Sequence, residues 1–138
     1  MRISYARNIY QTIRHANFML NYLAIDTAYH PVYDVLEIDD NIVLNAIGDR
    51  RYIRNEVYNM IEKYINSNEY SPYPYSYKVI SLAIIAEVLE HYNISYDLVS
   101  LLKAYDISLN AFDNMSYRIR EWARKNYWRD SITYFQDV

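Results

Sequence analysis

The segment from residue 76 to residue 126 constrains the fold of this chain most, because three helices can be placed in it by pattern alone. Ser76 is a residue type that caps helices, and apolar residues occupy two faces of the helix that follows, between Val79 and Leu89. A helix that is apolar on most sides is buried on most sides. This stretch is too short to span a bilayer, which takes about 20 residues, and Glu87 interrupts it. We therefore expect a central core helix here.

Two shorter amphipathic helices follow the central helix. Asn93 suits the left-handed turn that ends a helix, and Ser95 is the expected cap of the next one. Residues 105–107 form the predicted turn, after which Ser108 caps a longer helix. In that longer helix, spacings of three and four place one set of side chains inward, namely Phe112, Met115, Ile119 and Trp122, and begin the outward face with Asn110, Asp113, Asn114 and Tyr117.

Three features of this half follow one another in the chain: an apolar helix after a Pro-containing loop, the run NISYDLVSLLKAYDIS, and Ile107-Ser108 before the last helix. In this order, residues 76–125 resemble the end of a cyclin-type repeat of the archaeal TFB and eukaryotic TFIIB initiation factors. The resemblance implies a helix-turn-helix that contacts DNA next to a promoter. The chain differs from that pattern at Leu102, where Ala is usual, at Asp106, where Gly is usual, and at Asp113, which would oppose phosphate. A helix pair with a structural role only is the other interpretation.

The fold class follows from length and turn chemistry. A chain of 138 residues with one Gly and three Pro fits one domain and offers few of the residues that β-hairpin turns need. We predict an all-α single-domain bundle of about five helices, with the helix-turn-helix-like pair near the C-terminus. Within the domain 1–138, we expect an N-terminal helix at 4–24, an irregular acidic segment at 26–48 and the helical core at 50–128.

Both predicted helices of the N-terminal half carry apolar stripes. The first stripe suits a helix of a compact bundle, which we favour, or a dimer seam. His30-Pro31 predicts a break, and one or two short helices are expected between residues 32 and 47, before Gly48. Asp49 is the expected cap of a further helix that ends near Asn66. The first stripe consists of Ala6, Ile9, Ile13, Ala16, Leu20 and Leu23, and the stripe of the further helix consists of Ile53, Val57, Met60, Ile61 and Tyr64.

No catalytic arrangement stands out in the sequence. The chain has no Cys, and its three His residues have no Ser or acid beside them in a known nucleophile pattern. Glu87 and His91 lie four residues apart and could supply two metal ligands, but a solvated Glu and a helix-terminal His are the simpler interpretation. We therefore predict no enzymatic activity, no cofactor and no metal. The N-terminus, interrupted by Arg residues, is not a secretory signal, so a cytoplasmic location is expected, with a virion as the other option.

Tyrosine is the compositional outlier, with 18 residues against three Phe. Its apolar ring and polar hydroxyl suit half-buried positions and interfaces, although Tyr also replaces Phe and Leu in some thermophile and archaeal-virus proteins. Pro72 and Pro74 favour an extended connector within the most Tyr-rich segment. This connector is either an aromatic-rich structural link or a strip that stacks bases or binds a partner through Tyr70, Tyr73, Tyr75 and Tyr77.

Charge is uneven along a chain whose formal net charge is −3. Residues 114–138 carry five basic and three acidic side chains, a balance of +2. Because an acidic protein repels DNA at long range, any contact with DNA has to be local. We predict a non-enzymatic module that binds duplex DNA or a transcription complex through the last helix, with base contacts from Asn110, Asn114 and Tyr117 and phosphate contacts from Arg118, Arg120, Arg124 and Lys125.

The alternative function is that of a structural, self-assembling or inhibitor protein, for example of an archaeal virus. Such a protein would bind a virion or transcription protein, or a second copy of itself, through a Tyr-rich surface. No membrane partner is expected in either case, because no apolar stretch is long enough.

Overall fold

The computed structural model of the chain describes residues 3–23, 51–71 and 76–128. The described residues form five helices and no strand, which confirms the predicted all-α bundle with a helix pair near its C-terminal end. The acidic segment 26–48, the predicted break at His30-Pro31, the cap at Asp49 and the residues Tyr73 and Tyr75 lie outside the described residues. The helices are α1 (Ile3–Tyr22), α2 (Arg51–Ile65), α3 (Tyr77–His91), α4 (Leu98–Ala104) and α5 (Leu109–Asn126).

Helix α3 lies in the centre of the bundle and packs against α1, α2 and α5. Every residue from Val79 to Leu89 is buried except Glu87. Ala83 and Ala86 are only 1% and 2% exposed, because small side chains let neighbouring helices approach closely. The expected central core helix is confirmed.

Helices α1 and α2 each turn one apolar face toward α3. In α1, Ile9, Ala16 and Leu20 are buried in the core of this same chain, whereas Ala6 at the start of the stripe is exposed. The favoured interpretation of that stripe, a helix of a compact bundle, is therefore the one observed. All members of the predicted α2 stripe are buried, from Ile53 to Tyr64.

Two left-handed residues end the helices α3 and α4. Asn93 and Asp106 have φ values of 57° and 52°, and the next residue in each case donates its N–H to a carbonyl five residues earlier. These are the bonds of the Schellman motif, which stops a helix and turns the chain sharply. The prediction for Asn93 is confirmed. At Asp106, Asp takes the conformation that Gly adopts most readily.

The cap of α4 differs from the one predicted. Asp97, and not Ser95, is the N-cap: its Oδ1 accepts from the Ser100 N–H at 3.1 Å and its Oδ2 from the Ser100 hydroxyl at 2.6 Å. Each oxygen of the Asp97 carboxylate accepts from one of these donors. Asp97 therefore sets the start of α4, two residues later than expected.

Candidate nucleic-acid interface

Helix α5 divides into a buried and an exposed face as predicted. The side chains expected inside are buried against α3, and Trp122 is only 6% exposed. The side chains expected at the start of the outer face are all exposed, Tyr117 at 65%. These outer residues are Asn110, Asp113, Asn114 and Tyr117. A row of amides followed by a Tyr ring offers hydrogen-bond donors and acceptors to a surface lying along the helix.

The turn between α4 and α5 is tied to the central helix. Ser108 caps α5, and its hydroxyl accepts from the Ala111 N–H at 3.1 Å, as predicted. The Lys78 Nζ, in the first turn of α3, donates to the Tyr105 carbonyl at 2.7 Å and to the Asp106 carbonyl at 3.2 Å. These two charge-assisted hydrogen bonds link the α4–α5 turn to the first turn of α3.

All three arginines of the predicted phosphate-binding set contact acceptors of the same chain, Arg118 and Arg120 outside α5 and Arg124 within it. The Arg120 guanidinium lies 3.6 Å from the Glu90 carboxylate and 4.0 Å from Glu87, although 58% of its side chain is exposed. Arg118 donates to the Glu69 carbonyl at 3.4 Å. A phosphate at Arg120 would therefore have to compete with Glu90, which weakens the contribution of this residue to DNA binding.

Arg124 and Lys125 are exposed cations in the last turn of α5, and Arg124, like Arg120, has an acidic partner. Glu121 accepts a hydrogen bond from the Arg124 guanidinium at 2.9 Å, and the Lys125 charge also acts on this carboxylate. At this spacing the planar guanidinium makes a directed charge-assisted bond, which holds the pKa of Glu121 below its usual range. Lys125 is exposed, and no hydrogen bond or ion pair of its ammonium lies within the described part of the chain.

A small groove of about 170 Å³ lies beside these cations. Its walls combine aromatic rings with two cations and two acids: Tyr117, Arg118, Glu121, Trp122, Lys125 and Asn126 of α5, and Glu69. Because the charges of the walls are mixed, the groove itself favours no single ion. Tyr117, Arg118 and Lys125 lie together on this surface.

The predicted partner strip is not a continuous surface in its described part. Tyr70 is 7% exposed and packs edge-on against Tyr64, with ring centroids 6.0 Å apart. Tyr77 is half-buried, and its hydroxyl donates to the Asn8 Oδ1 at 2.9 Å. Tyr70 therefore stabilises the core, and Tyr77 links α3 to α1.

The outer face of α1 is not among the candidate sites that the sequence indicates. Tyr10 and Phe18 are 64% and 50% exposed, and Arg7 and Arg14 are exposed between and beside them. The signal was present in the spacing, because residues 7, 10, 14 and 18 fall on one side of a helix. The apolar stripe on the opposite side of the helix is the stronger pattern, and it predicts packing in the core.

Glu87 and His91 have partners other than a metal. The Glu87 Oε2 accepts from the Trp128 indole N–H at 2.8 Å, and the His91 ring stacks on Trp128 at 3.6 Å. The interpretation of Glu87 as a solvated residue was wrong, because only 13% of its side chain is exposed. Burial raises the pKa of this carboxyl. Within the described residues, no group of three or more His, Asp or Glu side chains could hold a metal ion.

Tyr127 and Trp128, which follow α5, contact side chains of α2 and α3. The Tyr127 hydroxyl donates to the Glu56 carboxylate and accepts from the Asn59 amide at 3.1 Å. Burial, followed by the bond to Glu56, raises the pKa of Tyr127. With Trp128 on Glu87, these contacts fix the basic end of α5 against the bundle.

Comparisons with protein-family models, with curated proteins and with solved structures give no match to this chain. Among the helices that the structure describes, none combines the length and the apolar character that crossing a bilayer requires.

Proposed function

We propose that this chain is a non-enzymatic module that binds duplex DNA, alone or within a transcription complex, through the outer face of α5. The observation that carries the proposal is the fixed α4–α5 pair, in which a capped helix presents Asn110, Asn114 and Tyr117 outward and continues into Arg124 and Lys125. Amides next to cations suit a helix whose first turns meet base edges and whose last turns meet phosphates.

The charge distribution limits this binding to a local contact. The chain carries a net charge of −3, and Arg120 and Arg124 each have an acidic neighbour. Long-range attraction is therefore weak, and we expect modest affinity at low salt. Asp113 adds repulsion near the start of the face, so the main phosphate contacts are expected toward the end of α5.

The test is a fluorescence-anisotropy titration of a labelled duplex over a range of salt concentrations. Phosphate neutralisation releases counterions, so the affinity should fall with salt. Lys125→Gln should reduce the slope by about 0.9, and the double variant Arg124→Gln with Lys125→Gln by about 1.8. Lys63→Gln is the matched control, because Lys63 lies in the last turn of α2 as Lys125 does in α5.

Two results would overturn the proposal. One is no duplex binding at low salt by the unmodified chain. The other is an equal loss of slope in Lys63→Gln and Lys125→Gln, which would mean that binding has no preferred face.

A protein-binding role is the second candidate, and the exposed apolar side chains favour it. Val99 and Leu109, on the same helix pair, are 61% and 57% exposed, and large exposed apolar residues mark many protein interfaces. A transcription protein or a virion protein is the partner class proposed for this surface. Sedimentation at micromolar concentration, with Val99→Ser and Leu109→Ser as variants, tests whether that partner is a second copy.

A further inference from the structure

The outer face of α1 combines exposed aromatic rings with arginines. Tyr10 and Phe18 expose 64% and 50% of their surface, and Arg7 and Arg14 are exposed on the same side of the helix. Helix α1 contains no Asp or Glu, although the chain as a whole carries a net charge of −3. This face is therefore positive and aromatic on a protein that is otherwise acidic.

The arginines of α1 differ from those of α5 in their surroundings. Among the described residues, no carboxylate lies within ion-pair distance of Arg7 or Arg14, whereas Arg120 and Arg124 both have one. A guanidinium without a carboxylate can bind phosphate without first breaking an internal pair.

Further cations lie near α1. The Arg54 guanidinium of α2 donates to the Asn17 amide oxygen and, at 2.9 Å, to that of Asn21, so a third arginine adjoins α1. On another side, burial, and then the charges of Arg14 and Lys78, lower the pKa of His15. The neighbourhood of Arg14 is therefore positive from more than one helix.

We propose that this α1 face binds single-stranded nucleic acid, with bases stacked on Tyr10 and Phe18 and phosphates bound by Arg7 and Arg14. Exposed rings stack on the faces of unpaired bases, which a paired duplex does not offer. The absence of acids on α1 complements a polyanion. An acidic protein partner would match the charge, but protruding rings with guanidinium groups between them fit alternating bases and phosphates better.

The spacing along the helix suits this ligand. Tyr10 and Phe18 are eight residues apart, about 12 Å along the axis, and Arg14 lies midway between them. The end of α1 also approaches the turn before α5: the Tyr22 and Tyr105 rings are 6.4 Å apart and meet edge-on. A strand that follows α1 would thus reach the turn between α4 and α5.

This proposal does not rest on duplex binding by α5, and the two can be separated. The probe is a labelled oligothymidylate of about 12 nucleotides, within the usual site sizes of single-strand binders. Tyr10→Ala with Phe18→Ala should weaken its binding by about tenfold or more, since each lost stack contributes substantially. Arg7→Gln with Arg14→Gln should reduce the salt slope by about 1.4.

The controls are variants of equal charge or exposure on α4 and α5, outside the proposed α1 face. Arg124→Gln with Lys125→Gln removes the same charge from α5, and Val99→Ala removes a side chain that is 61% exposed on α4. Both should leave oligothymidylate binding unchanged. Thermal unfolding by circular dichroism checks that each variant is folded, and if the aromatic variant is not, the arginine variant decides.

Three results would overturn the proposal. The first is no binding of oligothymidylate at low salt. The second is the same loss in the α5 variant as in the α1 variants. The third is a dimer that Phe18→Ala abolishes, formed by a chain that binds no oligothymidylate, because the α1 face would then belong to a second copy.

Discussion

The central helix α3 and the surface helix α5 differ in how many of their sides meet other helices. Helix α3 packs against three neighbours and is buried on nearly every side, whereas α5 packs mainly against α3 and leaves a full face exposed. In α3 almost every side chain stabilises the fold. In α5 the inner residues stabilise the fold and the outer ones are available for binding. Stability and binding should therefore respond separately to changes in the two helices.

The largest expected effect is that of Ala83→Glu in α3. Ala83 is 1% exposed, so the new carboxylate would be buried without a partner and would also exceed the space available. The cost, on the order of 3–5 kcal/mol or more, approaches the whole stability of a small domain. We expect loss of folding, visible as the absence of a cooperative thermal transition in circular dichroism.

Ala104→Glu is the matched control, because Ala104 is exposed in α4. The free energy of unfolding of that variant should differ from that of the unmodified chain by less than about 0.5 kcal/mol. A mild effect of Ala83→Glu would contradict the central position of α3.

Glu87→Gln should have a smaller effect and the opposite sign. The Glu87 carboxylate in α3 accepts a hydrogen bond from Trp128, which follows the end of α5. Gln keeps an oxygen that accepts from the Trp128 indole N–H but carries no charge. Burial raises the pKa of Glu87 in the folded chain, so the protonated carboxyl contributes to the stability of the fold. This contribution is complete below the pKa of the unfolded state and is lost as the pH rises through the pKa of the folded state. The variant should therefore be more stable than the parent near neutral pH, by less than about 1 kcal/mol.

Urea unfolding of the parent and the variant, at neutral pH and at a pH below the ordinary carboxyl value of 4.5, measures this difference. The advantage of Glu87→Gln should disappear at the lower pH, where both side chains are neutral. Glu62→Gln, at an exposed position of α2, is the control. A variant that is less stable than its parent at neutral pH would mean that the ion pair with Arg120 outweighs the cost of burial.

Periodicity predicted the elements that bury a defined face. Helices α3 and α5 could be placed, and their inner residues named, because apolar side chains recur where one turn meets the next. Asn93 and Ser108 were predicted correctly because left-handed turns and caps have local chemistry. Where two residues could serve one role, as Ser95 and Asp97 could for the cap of α4, local pattern did not decide between them.

Contacts between helices could not be read from the sequence. The Arg120–Glu90 ion pair and the Trp128–Glu87 hydrogen bond join residues that are distant in the chain, so no local spacing predicts them. The position of Tyr70 was missed for the same reason, since its ring is covered by Tyr64 of the preceding helix. For the candidate site, the sequence predicted which residues of α5 face outward but not which of its cations have partners.

The smallest effect on stability is expected for Asn114→Glu on the outer face of α5. Asn114 is exposed, so a charged side chain there stays in water and should change the free energy of unfolding by less than about 1 kcal/mol. The same charge would repel phosphate and should weaken duplex binding, more at low salt than at high salt because ions screen it. Asn114→Gln, which changes length but not charge, is the control. Thermal unfolding and duplex anisotropy on the same samples decide the matter: a severe loss of stability would mean that the inner and outer faces of α5 are assigned wrongly, and unchanged affinity with intact folding would remove this face from the DNA contact.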